Sequence, residues 1–594
     1  MKNNYTQLYN LPFPSTRTGA LFNAFSYPTK ISPESVALFI ACHTKVGDTV
    51  FDPFGGSGTT GIAALLCDTP TPNMRQLAEQ YGLSPQWGPR KAIVYELSSM
   101  GCLLGDVMCN TKTKDFIAAA TDLISKVEKE WGDLYSVCDS DNNKSIIRHI
   151  IWSDVIECPH CKQSVRYADV AIKTNPLTFH ESGTCPFCNN EINISESKRQ
   201  TEVIFDPVLN KEIFQKKRVP YKIYGSTNGK KWSRFATDSD LAAYSSLEDR
   251  LDMSSVPVYK IKWGELYRQG YHYGITHLHH FYTRRNAVVL SKLWDAIKQY
   301  PDSIQNTLRI FLLSYNSAHS TLMTRVVAKK GNNDFVITGA QPGVLYVSSL
   351  PVEKNIFEGL KRKVKTFADA FSLVEKSNSS VSFINASSTK LQLPDNSINY
   401  IFTDPPFGDF IPYSEINQIN EAWLGKLTDD TEEVIINHSQ GKALKAYSEL
   451  MNNVFGEMSR VLTPNGKCTL VFHSAKAEIW QTIIRAYKSS GFDVARASIL
   501  DKVQKTFKQT NSSVTVKGDP IILLEKNGVQ KVENSFTTDK EVADHLIAQS
   551  KDIPESKDKS TRLYSQYITA CIERNLIVSL DAKYFFATNE STSK

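Results

Sequence analysis

The segment Asp52–Thr60 (DPFGGSGTT) directly follows the apolar run Thr49–Phe51, and this junction limits the fold more than any other feature of the chain. Glycine at positions 55, 56 and 58 lets the backbone approach a ligand without a Cβ atom in the way. A helix that begins near Gly58 presents free N–H groups and a positive dipole end to an anionic group. The pattern predicts a parallel α/β sheet whose first strand ends in a ligand-binding loop.

This glycine loop, by itself, leaves several interpretations open. Residues Gly56–Gly61 match the G-x-G-x-x-G spacing, which alone is weak evidence for a dinucleotide site, and a tight turn without a ligand is the plainer alternative. A P-loop is disfavoured because no Lys follows the glycines. The next predicted strand, 92–96, ends in Glu96, which could accept two ribose hydroxyls or be an ordinary solvated side chain.

A second loop, Asp404-Pro405-Pro406-Phe407, follows the strand-like run 400–403. Two prolines fix φ at about −65° and remove two N–H donors, so the loop is stiff and its carbonyls face outward. The Asp404 carboxylate and the Pro405 carbonyl could each accept one hydrogen of an exocyclic amino group. Phe407 offers a stacking face, worth roughly 1–3 kcal/mol per base. An ordinary turn is the alternative.

The composition indicates more than one folded unit. The chain has 594 residues, 41% hydrophobic and 22% charged, and its net charge of +6 permits a nucleic-acid partner without requiring one. The first residues lack the apolar core of a signal peptide, and no apolar run is long enough for a membrane span. We therefore expect a cytoplasmic protein without membrane attachment.

Hydrophobic patterns divide the chain into four predicted parts. Residues 1–144 carry the first elements of the α/β sheet and residues 273–530 carry the rest. Residues 145–272 have short apolar segments and frequent turns, which predicts an inserted, mostly β unit. Residues 531–594 predict a polar helical extension. Insertion into a loop costs little closure entropy, so a sheet split in this way is physically reasonable.

Local signals predict four further features. Residues 69–89, rich in proline and glycine, predict an irregular excursion, and 330–343 predict a glycine-rich connector. A helix is expected over 303–327, and another over 444–462, where Thr463–Gly466 ends it.

Two CxxC pairs lie inside the predicted insertion. Cys158, Cys161, Cys185 and Cys188 follow the spacing Cys-x2-Cys-x23-Cys-x2-Cys, which resembles a zinc ribbon. Four thiolates suit tetrahedral Zn²⁺ in a closed structural site, and metal favours a reducing compartment over a disulfide scaffold. A redox pair or unliganded thiols are the alternatives.

Basic residues interleaved with aromatic ones follow the second CxxC pair. Such residues contact phosphates and stack on bases, so the region predicts nucleic-acid binding and target selection. The solvated face of a hairpin is the alternative. The candidate phosphate-contacting residues are Lys216, Lys217, Arg218, Lys230, Lys231 and Arg234.

Together with Tyr27–Pro33 (YPTKISP), the two loops resemble motifs of the amino-group DNA methyltransferases that use S-adenosylmethionine. The glycine loop is similar to their cofactor motif. The second loop is similar to their catalytic motif, Asp/Asn/Ser-Pro-Pro-aromatic. The segment Tyr27–Pro33 is similar to one that packs over the methionine part of the cofactor. Asp404 is typical of N6-adenine enzymes, whereas Phe407 departs from the commoner Tyr.

More narrowly, the chain resembles adenine-specific methylases that contain a zinc ribbon. This likeness depends on Tyr273–Thr276 and Phe281–Arg285, which are similar to a segment after the ribbon in that group. The resemblance covers most of residues 20–527.

The resemblance implies a Rossmann-like, class I methyltransferase sheet, and methylation of adenine N6 in double-stranded DNA after the base swings out of the duplex. Asp404 and the Pro405 carbonyl would pull on the amino hydrogens, and placement plus electrostatics would supply most of the catalysis. The implied catalytic residues are Asp404, Pro405, Pro406 and Phe407. The implied cofactor-binding residues are Tyr27, Pro28, Thr29, Asp52, Pro53, Phe54, Gly56, Ser57, Gly58, Thr59, Thr60, Glu96, Asn385 and Ser387.

Other functions stay open on the sequence. Asp-Pro-Pro-Phe occurs in RNA adenine methyltransferases too, and N4-cytosine enzymes, which more often show Ser first, are a further alternative. Another is a zinc-containing nucleic-acid-binding protein with an inactive transferase half, as one subunit of a larger defence or modification complex. For the active enzyme, the resemblance implies a role in restriction-modification or defence, and a nuclease or defence partner stays open. An NAD-dependent dehydrogenase, suggested only by the glycine spacing, leaves the second loop unexplained.

Overall fold

The structure is a computed structural model that describes residues 5–9, 19–28, 31–174, 176–322, 324–329, 331–340, 343–500, 518–526, 536–550 and 557–585. In these ranges the helices are α1 Tyr5–Tyr9, α2 Ala20–Ala24, α3 Pro33–His43, α4 Thr59–Asp68, α5 Pro72–Gln80, α6 Ser99–Asn110, α7 Thr113–Trp131, α8 Tyr167–Ala171, α9 Asp238–Glu248, α10 Gln269–His272, α11 Arg284–Ile297, α12 Asp302–Leu313, α13 Asn316–His319, α14 Ile356–Ser372, α15 Tyr413–Leu424, α16 Leu444–Val461, α17 Ala477–Ser489, α18 Asp539–Gln549 and α19 Lys557–Glu573. Short 3-10 helices cover Gly132–Tyr135, Leu278–Phe281, Asp430–Glu432 and His438–Gln440.

The strands in the same ranges are β1 Thr49–Asp52, β2 Lys91–Tyr95, β3 Ser136–Cys138, β4 Lys144–Glu157, β5 Ser164–Arg166, β6 Ile172–Thr174, β7 Leu177–Phe179, β8 Ser182–Thr184, β9 Glu191–Asn193, β10 Thr201–Asp206, β11 Lys211–Lys216, β12 Arg218–Thr227, β13 Lys230–Phe235, β14 Thr324–Val327, β15 Val336–Ala340, β16 Val352–Lys354, β17 Ser380–Ile384, β18 Ile398–Thr403, β19 Leu462–Val471, β20 Phe492–Leu500 and β21 Asp519–Lys526. None of the helices in the described ranges combines the length and hydrophobicity needed to cross a bilayer.

The largest sheet has seven strands in the order β17-β2-β1-β18-β19-β21-β20. Strands β17, β2, β1, β18 and β19 are parallel, and β21 runs antiparallel to both of its neighbours. The chain moves outward from β1 through β2 to β17 and then returns to β18, so the strand order reverses between β1 and β18. Open α/β sheets bind ligands at such a reversal, outside the carboxyl ends of the strands. The mixed α/β, Rossmann-like architecture predicted from the sequence is confirmed.

Strand pairing brings the two remote loops together. Val50 pairs with Tyr400 and Phe51 with Ile401. Side chains alternate along each strand, so Val50 and Tyr400 enter the core on one face while Phe51 and Ile401 enter the core on the other. Because β1 and β18 are parallel neighbours, the glycine loop and the Asp404 loop leave the same edge of the sheet side by side.

Helices cover both faces of this sheet. Helices α3, α4 and α6 pack on the first face, with α14 packed against α2, α6 and α7, and α16 and α17 pack on the second face. The polar extension expected after residue 531 contributes α18 and α19, and α19 packs against β20 and β21. Its buried side chains, Val542, Tyr564 and Tyr567 among them, belong to the second core. These helices therefore form part of the helical layer on the second face of the sheet and do not project from it as an appendage.

A second sheet forms around the 14-residue strand β4. It has the order β13-β12-β4-β16, with β3 and β5 also paired to β4. Strands β3 and β16 lie outside the predicted limits 145–272, so this sheet draws on the chain before and after the predicted insertion. A small core surrounds Ile156, Cys158 and Cys185.

Several local expectations were wrong for physical reasons. Residues 69–89 contain helix α5, because Thr71 caps it by accepting the Met74 N–H at 3.3 Å and Pro72 occupies the first turn. The helix expected over 303–327 ends at Leu313, and β14 pairs with β15, which lies inside the expected glycine-rich connector. In the first case the proline was misread as a helix breaker, although proline can begin a helix. In the second case strand pairing, which is a tertiary contact, overrode the local helical pattern.

Candidate active site and cysteine cluster

One cleft at the carboxyl edge of the large sheet contains both loops. Its empty volume is about 1060 Å³, counting the part open to solvent. The residues lining it are Tyr27, Pro28, Ile31, Asp52, Pro53, Phe54, Gly55, Gly56, Ser57, Thr59, Thr60, Glu96, Leu97, Ser98, Ala386, Ser387, Ser388, Phe402, Asp404, Pro406, Tyr413, Ser414, Thr428, Glu432, Glu433, Val434 and Val454. Most of the predicted cofactor residues are in this set, together with Asp404 and Pro406.

The glycines of the first loop are required by space and by backbone conformation. A Cβ atom on Gly55 would lie 2.2 Å from Val94 Cγ1, and one on Gly58 would lie 2.6 Å from the Cα atom of Gly105. Gly58 also has φ of +82° and precedes the first residue of α4, whose first turn has no side-chain cap. The N-terminus of α4 therefore faces the cleft with N–H groups that suit an anionic ligand group.

Asp52 holds the glycine loop in place from beneath. Its Oδ1 accepts the Phe54 N–H at 3.0 Å, and its Oδ2 accepts the Thr60 hydroxyl at 2.6 Å. Burial raises the pKa of Asp52 to about 6, although both hydrogen bonds favour the charged form.

Glu96 directly follows β2, which ends one residue before the predicted strand end, and lines the cleft as predicted. Its Oε2 accepts the Gly56 N–H at 2.6 Å and its Oε1 accepts the Ser98 N–H at 2.8 Å. Burial raises the pKa of Glu96 to about 7, against the effect of these two bonds and with the help of the nearby Asp52 carboxylate. The carboxylate therefore fixes the glycine loop to the chain that follows β2.

The Asp404 loop lines two cavities. Asp404 and Pro406 line the large cleft, and both also line an adjoining cavity that includes Pro405 and Phe407; its empty volume is about 260 Å³, counting the part open to solvent. The ring of Phe407 packs edge-on against Phe472, with centroids 5.4 Å apart at 90°. Behind the loop, the buried Tyr447 hydroxyl donates to the Pro406 carbonyl at 2.9 Å.

Tyr27 closes the cleft from the N-terminal segment. Its ring stacks on Tyr413 with centroids 6.0 Å apart, and its hydroxyl accepts a hydrogen bond from Asn417 Nδ2 at 3.1 Å. Pro28 also lines the cleft, whereas the predicted residue Thr29 lies outside the described residues. Tyr413 lines both cavities and was missed by the sequence analysis, since nothing local distinguishes it from an ordinary first-turn residue.

The segment after β17 supplies the far wall of the cleft. Ser387 lines it as predicted, and so does Ser388, whose hydroxyl donates to the Pro53 carbonyl at 2.6 Å. Asn385, the other predicted residue here, is exposed; its Nδ2 donates to the carbonyls of Glu96 and Leu97 at 3.1 and 2.9 Å. Asn385 thus braces the chain after β2, and it is not among the residues that line the cleft.

The wall opposite the glycine loop is a strap, residues 426–442, that sequence reasoning did not single out. It contributes Thr428, Glu432, Glu433 and Val434 to the cleft. Thr428 is tied to the buried Glu421 carboxylate through its N–H at 2.8 Å and its hydroxyl at 2.6 Å. The strap has no motif, and only its packing against α15 places it at the site.

The four predicted cysteines form one cluster. Their Sγ atoms all lie within 4.8 Å of one another, and the cross pairs Cys158–Cys188 and Cys161–Cys185 are each 3.8 Å apart. Four bonds of about 2.3 Å at tetrahedral angles place sulfur atoms about 3.8 Å apart. The residue after each CxxC, Lys162 or Asn189, has φ near +60° (62° and 61°), so the two turns repeat one geometry. The donor set therefore fits zinc.

A second group of metal-ligand residue types lies at Asp206, His279 and His280. Nε2 of His279 and Nε2 of His280 lie 2.8 and 2.9 Å from Asp206 Oδ2. The Thr276 N–H points at His280 Nδ1 at 3.1 Å, so Nδ1 is the acceptor and Nε2 carries the proton. A metal-binding histidine needs the opposite arrangement, with the second nitrogen donating. The group is a hydrogen-bonded brace between β10 and the 3-10 helix Leu278–Phe281.

The predicted phosphate-contacting residues separate into two sets. Lys216 and Arg218 lie with Arg199 around the fully buried Asp154 carboxylate, the Arg218 Nε donating at 2.9 Å. Burial lowers the pKa of Lys216. These two residues therefore neutralise a buried charge, which the spacing of basic residues along the sequence did not reveal.

The other four lie nearer the surface. Arg234 makes two bonds of 2.6 and 2.7 Å to the Asp240 carboxylate, which occupies its guanidinium. Lys230 and Lys231 are exposed beside the turn between β12 and β13, and Lys217 is half-buried. Lys231 also lines a surface groove with Arg148 and Arg362. Lys217, Lys230 and Lys231 thus stay candidates for phosphate contact.

Comparison with known proteins gives one family match. A family model described as DNA methylase matches residues 2–69. No curated protein matches the sequence. Among solved structures, the chain is similar to a candidate DNA modification methylase from Thermus thermophilus, at 17% identity and a TM-score of 0.14, over 26% of this chain and 59% of that one.

Two further structures are similar at the same level. TrmN from Thermus thermophilus matches at 15% identity and a TM-score of 0.14, over 29% of this chain and 34% of that one. The antibiotic-resistance methyltransferase Kmr matches at 12% identity and a TM-score of 0.14, over 25% and 63%. The chain spans less than two thirds of the length of each of these relatives, and TM-scores at this level carry no argument about function. The DNA methylase match falls on the part of the chain that builds the glycine-loop side of the cleft.

Proposed function

We propose that this protein transfers a methyl group from S-adenosylmethionine to the N6 amino group of adenine in double-stranded DNA. The observation that carries the proposal is that the glycine loop and the Asp404 loop, remote in sequence, line one cleft. Asp404, Pro406 and Tyr413 also line the adjoining smaller cavity. The large cleft suits the cofactor and the small cavity suits the extruded base, with Asp404 between them.

The charge of the cleft favours this cofactor over a dinucleotide. The carboxylates that line it belong to Asp52, Glu96, Asp404, Glu432 and Glu433, and none of its described lining residues is Lys, Arg or His. S-adenosylmethionine carries a sulfonium and an ammonium group, which carboxylates stabilise, whereas the two phosphates of NAD would be repelled. The dehydrogenase alternative is disfavoured for this reason as well as by the unexplained Asp404 loop.

The protein's own part in the reaction is to bind and to orient. Bound S-adenosylmethionine supplies an electrophilic methyl group. The glycine loop and Glu96 would hold the cofactor, and Tyr27 and Tyr413 would cover it. Asp404 and the Pro405 carbonyl would accept the two amino hydrogens of the target base and so direct the nitrogen lone pair toward the methyl carbon. The methyl–sulfur bond would break as the carbon–nitrogen bond forms, and one amino proton would be released to water. Tyr447 keeps the loop stiff through Pro406. Placement and electrostatics supply most of the rate.

We also propose that Cys158, Cys161, Cys185 and Cys188 hold a structural Zn²⁺. Support comes from the spacing of the sulfur atoms and from the matched turns of the two CxxC pairs. The thiolates saturate a tetrahedral ion, so this zinc has no position open for substrate. Its role is to staple the small core around Cys158 and Cys185.

The function is tested with isotopically labelled S-adenosylmethionine and three acceptors: duplex DNA, structured RNA and no nucleic acid. We expect label in duplex DNA, and nucleoside digestion should yield N6-methyladenine. Label in RNA alone, or in N4-methylcytosine, would replace the proposed substrate by one of the alternatives. Cofactor binding without transfer to any acceptor would favour an inactive binding subunit. A nuclease or defence partner stays a prediction, which co-purification from the native host would test.

A further inference from the structure

The short segment Tyr259–Leu266, at the end of the predicted insertion, is hydrogen-bonded to α15, the helix that follows the Asp404 loop. We propose that this segment, here called the clamp, positions the Asp404 loop and couples it to the inserted unit, with Glu415 as the positioning residue. This inference rests on the proposed function. It concerns how the position of the Asp404 loop in the active site is controlled.

The first observation is a buried carboxylate that holds two backbone amides of the clamp. Glu415 Oε1 accepts the Glu265 N–H at 2.9 Å, and Oε2 accepts the Leu266 N–H at 2.9 Å. The Glu415 residue is 8% exposed. It is the third residue of α15, whose first residue, Tyr413, lines both cavities of the active site. The carboxylate thus fixes the end of α15 that adjoins the catalytic loop.

The second observation is an amide that acts as a strand partner. Gln418 Oε1 accepts the Lys262 N–H at 2.9 Å, and Gln418 Nε2 donates to the Lys262 carbonyl at 3.2 Å. One side chain of α15 therefore satisfies both backbone groups of a clamp residue. A pocket of about 620 Å³, counting the part open to solvent, is lined by the clamp, α15 and the strap. Ile261 is buried in the same hydrophobic core as Ile419 of α15, so the polar contacts add direction to an apolar contact.

The third observation is a glycine whose missing side chain lets the clamp approach. A Cβ atom on Gly264 would lie 2.5 Å from Glu415 Oε1 and 2.6 Å from Ser439 Oγ. The clamp also contacts the strap that lines the cleft, through Lys262 Nζ to Asp430 Oδ2 at 2.6 Å. The clamp thus contacts both α15 and the strap.

The clamp is tied in turn to strand β10 of the inserted unit, through the segment that follows the insertion. The Ile261 N–H donates to the Thr276 carbonyl at 2.9 Å, and the Leu278 N–H donates to the Tyr259 carbonyl at 2.8 Å. Leu278 begins the 3-10 helix whose His279 and His280 brace Asp206 at the end of β10. A series of hydrogen bonds and the short chain segments between them therefore links β10 to α15. Contact of the inserted unit with DNA would bias the placement of the Asp404 loop through this series.

The test compares the full-length Gly264→Ala and Glu415→Gln variants with wild type, with Gly270→Ala as the matched control because a Cβ atom there meets nothing within 4 Å. We expect the methyl-transfer rate at saturating DNA to fall at least about tenfold in both variants. The Kd for S-adenosylmethionine should stay within about twofold, which shows that the cleft is folded. Hydrogen exchange should speed up over residues 404–416 in both variants but not in the control. Asp206→Asn, at the far end of the series, should give the same pattern with a smaller change.

The two proposals fail in different ways. Unchanged exchange over residues 404–416 in both variants, with normal transfer, would overturn the coupling role and leave the clamp as ordinary packing. Exchange does not depend on the identity of the acceptor, so it decides the positioning role even if wild type methylates RNA. Absence of transfer by wild type to any nucleic acid would instead remove the proposed function.

Discussion

The cleft joins strands whose contacting residues, Thr49 and Asn399, are 350 positions apart, whereas Cys161 and Cys185 in the cysteine cluster are separated by 24. Each half of the cysteine cluster is a local turn, and the two turns share one backbone geometry. The cleft has no local half that works alone, because its glycine loop and its Asp404 loop meet only through the pairing of β1 with β18. A closed site can therefore be predicted from spacing, while an open site at a sheet edge needs the strand order.

Loss of one cluster ligand should have the largest effect. Cys158→Ser removes one of four thiolates, and structural zinc sites contribute on the order of 10 kcal/mol of apparent binding free energy. We expect less than about half an equivalent of zinc by metal analysis, and rapid proteolysis within residues 145–216. Binding of S-adenosylmethionine should persist, since no cluster residue lines the cleft. The exposed Cys138, changed to Ser, is the control. Absence of zinc from the wild-type protein would contradict the proposed structural metal site.

Loss of Asp404 should have a different kind of effect from loss of a cysteine, because methyl transfer should be lost while the protein stays folded. Asp404→Ala removes an acceptor for the amino hydrogens, and we expect transfer to fall at least about 100-fold. The cofactor Kd should change less than about threefold. Asp409→Ala, a change at a nearby exposed carboxylate, is the control. Wild-type turnover by the Asp404 variant, measured with labelled cofactor, would contradict the assigned role.

A glycine of the first loop should show how strictly tertiary contacts constrain the cleft. Gly58→Ala places a Cβ atom 2.6 Å from a backbone atom of Gly105, at a φ of +82°. We expect a loss of about 2–4 kcal/mol in the free energy of unfolding, with weaker cofactor binding, as measured by denaturant titration and calorimetry. Gly456→Ala on α16 meets nothing within 4 Å and should stabilise the helix by about 0.5–1 kcal/mol. Equal effects of the two changes would contradict the steric argument.

The pH dependence should be the smallest effect, and it belongs to the cleft. Burial raises the pKa of Asp52 to about 6 and of Glu96 to about 7, so the folded state binds more protons than the unfolded state above pH 4. Stability contributed by the neutral forms is present below the unfolded pKa values and is lost as pH rises toward 7. The stability advantage of wild type over Glu96→Gln should therefore shrink between pH 5 and 8. Thermal unfolding at constant ionic strength measures it, and a pH-independent difference would contradict the raised pKa.

The ends of the predicted sheet strands show how far sequence reasoning reaches. Strand β1 directly precedes the glycine loop and β18 directly precedes the Asp404 loop, as predicted, because apolar runs set these strands locally. The helix expected over 444–462 is α16, which ends at Val461 as predicted, and the segment 463–466 bulges out of β19: Ile398 pairs with Leu462, and Tyr400 then pairs with Lys467. Its turn residues were correctly identified as a break, but only pairing with β18 shows that the strand begins before them.

Electrostatic roles were harder to predict than elements. Lys216 and Arg218 have the sequence pattern of a phosphate-binding surface, yet they face Asp154, which is 0% exposed. The roles of the clamp contacts at the active site were hard to predict for the same reason. Gly264 and Glu415 are unremarkable in the sequence, and only their contact across about 150 positions gives either a role.

The sequence alone determined where backbone must turn and which side chains are offered: glycines where no Cβ fits, prolines that stiffen a loop, and cysteines at the spacing of two knuckles. These are properties of short segments, so local sterics and ligand chemistry are enough to specify them. Tertiary structure decided which segments meet, which charges are buried and which loops share a cavity. Those outcomes depend on strand order and on packing between residues hundreds of positions apart, and no short stretch of the chain contains that information.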